Sequence, residues 1–171
     1  MKGHILRVLL SLTLLLGGMM LTSYRYQSHS LGFAVEIPDE WELGEAADSD
    51  IMVVLSPVEG EEDLFRENMN IIVTKLDVNV SLRELYNLNV ANAKQMLNNF
   101  QIVEVELMEI NGVQAIKLIY TFQYEQTLMK NIVYLLLHKG TMYTMTFSSL
   151  DHRFNEFRPL FETIARSFQP R

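Results

Sequence analysis

Apolar and polar residues alternate with period two over most of this chain, and two stretches repeat at helical spacing instead. Leu31, Phe33, Val35 and Ile37 alternate with Gly32, Ala34 and Glu36, which predicts a strand with one buried face. Pro38-Asp39-Glu40-Trp41 then turns the chain, and Trp41, the only tryptophan, is expected at the edge of the core. Ile51 to Leu55 reads as a short apolar strand ended by Ser56-Pro57. Met69, Ile71 and Val73 mark another, running to about Leu76. Between these two lies an acidic loop, Glu59-Gly60-Glu61-Glu62-Asp63.

Ser81-Leu82-Arg83-Glu84 predicts a helix start, because a Ser N-cap accepts from the N3 amide while a Glu at N3 reaches back to the N-cap amide. Leu85, Leu88, Asn92, Met96 and Phe100 recur at helical spacing as the expected stripe, with Tyr86, Ala93 and Leu97 beside it. Val103, Val105 and Leu107 then alternate with Glu104, Glu106 and Met108. Asn111-Gly112 predicts a two-residue hairpin turn, since type I′ needs positive φ at both positions. The returning strand places Ile116, Leu118, Tyr120, Phe122 and Tyr124 on one face, with Lys117, Thr121, Gln123 and Glu125 on the other. Ile132 to Leu137 is apolar on both faces and belongs inside a sheet. After a turn at Lys139-Gly140, Tyr143, Met145 and Phe147 alternate with Thr144, Thr146 and Ser148. A last helix is signalled by Asp151 as N-cap, with Phe157, Phe161, Ile164, Ala165 and Phe168 as its apolar face. Pro159 predicts a short first turn and a fresh helix start near Arg158.

The N-terminus follows a different rule. Lys2 and Arg7 precede an uncharged apolar run, Val8 to Leu21, and no acid appears before Glu36. A basic segment followed by an apolar one is the pattern of an export signal, whose apolar part runs roughly 7–15 residues; a spanning helix wants roughly 20. Extending the run back through Ile5 encloses Arg7, which can snorkel toward headgroups. Ser23 can sit just before a cleavage point, but Leu21 then stands where a small residue is wanted. Tyr24 and Tyr26 suit a membrane interface. A cleaved signal and an uncleaved anchor over residues 5–23 therefore both stand. Either puts the rest of the chain outside the cytoplasm, with residues 1–27 as signal or anchor and 28–171 as one domain.

Composition narrows the chemistry. The chain has no cysteine, which removes disulfides, thiol catalysis, cysteine metal sites and a lipid-bearing cysteine together. Its charge is −7, and Lys2, Arg7 and Arg25 are the only charged residues before Ser28, so the remainder carries −10. Such a domain repels nucleic acid and anionic lipid surfaces and leaves cationic partners or metal ions open. Glu59, Glu61, Glu62 and Asp63 are the only metal candidates, and weak ones beside a solvated loop. Asp48-Ser49-Asp50 starts like a calcium loop, but Met52 and Leu55 stand where oxygen ligands are needed. His29, His138 and His152 have no ligand spacing. Ser148 and Ser149 precede His152 without a G-x-S-x-G context. The methionines fall mostly at core positions such as Met69, Met96 and Met145, where they fill gaps. No catalytic residue and no cofactor is expected.

The order of elements, with Gly32-Phe33-Ala34-Val35-Glu36-Ile37-Pro38 and Trp41, Asn111-Gly112, and the closing Ile164-Ala165-Arg166-Ser167-Phe168, resembles the PsbP/Mog1/DcrB-like superfamily over roughly residues 29–169. That resemblance implies an α+β fold: an antiparallel sheet of about six or seven strands with helices packed on its faces. It also implies a non-catalytic binding or assembly role with a protein partner in the envelope. The membrane would be met through the N-terminal segment if that is uncleaved, and nucleic acid not at all. A second expectation, a carrier of a small apolar ligand in a sheet–helix pocket, rests on the Met, Tyr and Phe content alone. An exposed apolar strip on the sheet favours the first; a pocket of several hundred Å3 between sheet and helix favours the second.

Overall fold

The computed structural model describes residues 15–16, 19–20, 22–46, 48–61, 63, 65–77 and 79–171. Most of the apolar N-terminal run lies outside these. Two residue pairs within it, β1 (Leu15–Leu16) and β2 (Met19–Met20), form an antiparallel ladder. Among the described residues no helix is long and apolar enough to cross a membrane.

Thr22 is already tied to the fold, its carbonyl accepting from the Asp39 amide at 2.9 Å. Strand β3 (Ser23–Ser28) pairs antiparallel with β4 (Phe33–Pro38), so it takes in the last residues of the segment 1–27 that the basic-then-apolar pattern assigns to signal or anchor. Tyr26 packs on the core from there, with its ring 6.2 Å from that of Phe33. β4 is the middle strand of a three-stranded sheet, between β3 and the C-terminal β12 (Gln169–Pro170). The expectation of one buried face on β4 is corrected: flanked on both sides, it buries Ala34 as fully as Phe33, Val35 and Ile37.

The larger sheet has seven antiparallel strands: β5 (Glu42–Leu43), β6 (Ile51–Leu55), β7 (Asn68–Lys75), β8 (Asn98–Ile110), β9 (Val113–Tyr124), β10 (Thr127–His138) and β11 (Thr141–Leu150). Their spatial order is β5-β6-β7-β11-β10-β9-β8. The consecutive hairpins β8–β9 and β10–β11 are closed by Asn111-Gly112 (φ 48° and 81°) and Lys139-Gly140 (φ 49° and 75°), the paired positive φ values of a type I′ turn.

Two helices cover opposite faces. Helix α1 (Leu82–Met96) carries the predicted capping box: the Glu84 amide donates to Ser81 Oγ at 3.2 Å, and the Ser81 amide donates to Glu84 at 2.8 Å. Its buried face differs from the predicted stripe. Leu85 and Val90 are buried, while Leu88 and Met96 are 59% and 81% exposed. The helix ends at Leu97, whose backbone is extended, so Phe100 falls on β8 and exerts no pull on the helix register. Helix α2 (Phe154–Ser167) is continuous through Pro159, with Arg153 rather than Asp151 as N-cap. Pro159 can offer no amide to the Asn155 carbonyl, but Asn155 is exposed and water can serve it. Burial of Phe161, Ile164 and Ala165 outweighs the break.

The main core lies between one face of the seven-stranded sheet and the layer formed by α2 and the three-stranded sheet. Phe33, Tyr134, Phe147, Phe154, Phe161 and Phe168 are its largest fully buried side chains. Trp41 closes its edge against Phe161, edge to face at 6.3 Å. A smaller core, of Val90, Leu118, Tyr120, Val133 and Leu135, lies under α1 on the other face. β9 therefore serves both cores. The opposite row of this strand, expected to be polar, buries Val113, Ala115, Lys117 and Ile119 because α2 and the small sheet cover it.

Candidate functional site

The acidic loop is tied to the fold through an arginine. The guanidinium of Arg153 lies 2.8 Å from the Glu59 carboxylate and 3.7 Å from Glu67 Oε2. Asp63 accepts the Glu59 amide at 3.0 Å and the Phe65 amide at 3.3 Å. Those amides, the one from Glu59 foremost, hold its carboxyl below the ordinary range. Glu61 is exposed, and Glu62 lies outside the described residues. Among the described residues no three His, Asp or Glu side chains converge as a metal ion would require.

Beneath this loop lies a group that sequence patterns do not single out. Glu67 is 1% exposed, and its Oε1 accepts the Ser149 hydroxyl at 3.3 Å. Burial pushes its carboxyl above the usual carboxylate range, against the opposing pull of Arg153. Its Oε2 and the nearby Ser56 hydroxyl are buried without a hydrogen-bond partner among the described residues. Ser149 thus turns its hydroxyl toward Glu67 and the Leu150 carbonyl. Ser148 stands on the opposite face of β11, across from Asn131. His152 is exposed in the turn before α2, His138 closes β10 opposite Thr141, and His29 contacts Gln27 at 2.9 Å. These groups are not brought together.

A cleft of about 770 Å3 opens at the strand ends, between the β3–β4 turn, the Asp48–Ile51 segment and the end of β7. Lys75, Arg171, Asp48 and Asp50 share its walls with Ile51 and Ile72. It lies at strand ends rather than between sheet and helix, and its charged lining is ill suited to apolar cargo.

The apolar surface is concentrated on β8, the outermost strand of the seven-stranded sheet. Ile102, Val103, Val105 and Leu107 are 41%, 54%, 48% and 68% exposed. Val105 and Leu107 stand opposite Leu118 and Ile116 of β9 and so share the face that carries α1. The other face of β8 is charged. Lys117, nearly buried on β9, reaches Glu104 at 2.7 Å and also pairs with Glu106. Burial pulls the Lys117 ammonium down, but the hydrogen bonds it donates to Glu104 and Glu106 outweigh it and hold the group above the ordinary lysine range. Arg158 of α2 adds a second cation 3.3 Å from Glu104. The alternation of Val103-Glu104-Val105-Glu106-Leu107 was legible in the sequence; that its apolar row faces solvent was not.

A family model described as PsbP matches residues 22–170. No curated protein matches the sequence. Among solved structures, cyanobacterial PsbP (CyanoP) from Synechocystis sp. PCC 6803 is similar with a TM-score of 0.68 and 19% identity, covering 94% of this chain and 99% of that one. LpqN of Mycobacterium tuberculosis, described as involved in cell envelope biogenesis, has a TM-score of 0.66 and 13% identity, covering 87% and 90%. The Ran-binding protein Mog1p of Saccharomyces cerevisiae has a TM-score of 0.62 and 8% identity, covering 88% and 96%. At these identities the likeness is one of fold: a mixed α+β domain built on an antiparallel sheet, as the order of elements implied.

Proposed function

The chain belongs to the PsbP family, and on that premise we propose that it is a non-catalytic, extracytoplasmic interaction or assembly module of the bacterial cell envelope. The single observation that carries the interaction role is the apolar row on the edge of β8 that no strand covers among the described residues. Monomeric proteins seldom leave such a row on a long edge strand, because it invites pairing. The envelope location is supported by Lys2 and Arg7 ahead of the apolar run Val8 to Leu21, which favours an N-terminus held inside. It is also supported by fold likeness to LpqN, described as involved in cell envelope biogenesis. Since β3 begins at Ser23, a cut just after Ser23 would remove the first residue of that strand and Thr22, whose carbonyl accepts the Asp39 amide.

Two measurements test this. A reporter fused after Arg171 should be active only outside the cytoplasm; activity confined to the cytoplasm refutes the location. A photoreactive residue placed at Leu107 in the full chain should give a discrete crosslinked species in growing cells, whereas one at the exposed Leu43 should not. Equal, diffuse crosslinking from both positions would remove the interaction role from this surface.

A further inference from the structure

We infer that the outer edge of β8, from Glu104 to Ile110, accepts an extended cationic amphipathic segment of a partner protein as an eighth strand of the sheet. This rests on the interaction-module role and assigns its surface and the chemistry of its partner. The seven-stranded sheet has two ends, and they differ. One is β5, only two residues long, which is a usual way of blunting an edge. The other is β8, thirteen residues long, with β9 on one side and no strand on the other among the described residues. Register shifts interrupt its pairing between Asn98 and Gln101 and between Ile102 and Glu104. From Glu104 to Ile110 the register against Ile119 to Val113 is unbroken. The bulges protect the first half of this strand from strand addition and leave the second half open.

An added strand would read both rows of β8 at once. Beside Val105 and Leu107 it would need apolar side chains. Beside Glu104 and Glu106 on the other row, and beside Glu109 at the end of the apolar row, it would need Lys or Arg. Lys117 already serves Glu104 and Glu106 from the inner side, and Arg158 is shared with Glu162. The Glu106 side chain is still 52% exposed, and Glu109 is exposed beyond the apolar row. A second copy of the chain fits poorly, because antiparallel self-pairing of this segment sets Glu104, Glu106 and Glu109 against Ile110, Met108 and Val105 and brings none of them a cation. The net charge of −10 from Ser28 onward adds repulsion between copies and attraction for a cationic segment.

The test uses the full-length chain in nanodiscs of neutral phosphatidylcholine, which do not compete for cationic peptides. The probe is a capped peptide of about seven alternating valine and lysine residues, the length of a usual strand. It should bind and slow hydrogen exchange of amides between Glu104 and Ile110. N-methylation of alternate backbone nitrogens in the peptide should weaken binding at least tenfold. So should the V105K/L107K variant, whose melting temperature should match that of the unaltered chain because both positions are exposed. Binding that survives N-methylation would mean charge adsorption and overturn the proposal. Equal binding of a valine–glutamate peptide would overturn the cationic assignment. A concentration-dependent dimer abolished by Leu107→Lys would hand the edge to a second copy instead. If the peptide fails while crosslinking from Leu107 persists, this mode of binding falls and the interaction role stands; if both fail, both fall.

Discussion

Asn111 is predicted to stabilise the domain through two separable effects, and three substitutions divide them. Its φ of 48° suits the first position of the hairpin turn, where Asn and Gly are both tolerated. Its side-chain Nδ2 also donates to the carbonyls of Arg166 at 3.0 Å and Phe168 at 2.7 Å, which are orphan acceptors at the C-terminal end of α2. Asn111→Gly keeps the turn and deletes both donors. A net hydrogen bond contributes about 0.5–1.5 kcal/mol; one of these is exposed and the other part-buried, so the loss should be about 1–2 kcal/mol. Asn111→Asp also keeps the turn, but sets a carboxylate against two carbonyls at the negative end of the helix. That adds about 0.3–1 kcal/mol of repulsion. Asn111→Ala loses the turn preference as well as the donors. In a domain of this size about 1 kcal/mol shifts the melting temperature by about 2–4 °C. Urea unfolding followed by the single tryptophan is a suitable assay, since Trp41 is buried against Phe161 of α2. The expected order of stability is Asn above Gly above Asp at pH 7, with Asp recovering below its pKa as a protonated acid regains a donor. If Asn111→Asp is as stable as the unaltered chain, Asn111 does not cap the helix.

Gly112→Val should cost about 1 kcal/mol or more, chiefly as backbone strain, because φ is 81° and a Cβ there meets nothing within 4 Å; an unchanged urea midpoint would show that the turn relaxes. Lys117→Met should cost about 1–3 kcal/mol by leaving Glu104 and Glu106 without their shared cation, and adding Glu104→Gln and Glu106→Gln should recover part of it; no recovery would mean that packing, not charge, sets the cost. Burial raises the Glu67 pKa above its unfolded value, so its stabilising contribution is full below the ordinary pKa and is lost as pH rises through the folded one. The unaltered chain should therefore gain stability relative to Glu67→Gln as pH falls from about 7 to about 4.5, and a constant difference across that window refutes the assignment. Chelator, calcium, zinc or manganese should leave thermal unfolding of the full chain unmoved; a drop with chelator that one ion reverses would make the Glu59 to Asp63 loop a metal site.

The residues that carried the family resemblance in the sequence turn out to meet at one junction. Gly32 holds a φ of 69°, and its carbonyl accepts from the Tyr143 hydroxyl at 3.0 Å and the Arg171 amide at 2.9 Å. Ser167 accepts the Glu36 amide at 2.8 Å, Phe168 packs between Phe33 and Tyr143, and Asn111 caps the same helix end. Strand, hairpin turn and terminal helix are locked together there, and local rules already favour each piece: period two, Asn-Gly, and an apolar helical face. What sequence reasoning could not supply depends on long-range cover. Lys117 and Glu67 look like surface charges until elements distant in sequence bury them, and Pro159 looks like a helix break until its aromatic neighbours are counted. The α1 stripe was drawn through Phe100 because nothing local announces that the helix stops at Leu97, which is neither Gly nor followed by Pro.

The two faces of the large sheet show why the exposed row on β8 is more than leftover apolar surface. One face is roofed by α2 and the three-stranded sheet. The other is roofed by α1, which packs mainly on β8, β9 and β10. Beyond that roof the same face carries Thr146 and Ser148 on β11 and Asn68, Asn70 and Thr74 on β7, as an open face should. Ile72 and the half-covered row of β6 interrupt that polarity, but β7 has a strand on both sides and the short β6 is paired with β5 at Val54 and Leu55. On β8 three conditions coincide: large apolar side chains in solvent, a regular register from Glu104 to Ile110, and one edge unpaired among the described residues. Solubility alone would select against that combination. A polar row like that of β11 would serve a free monomer as well, so the apolar row on β8 is best accounted for by a strand that comes to cover it.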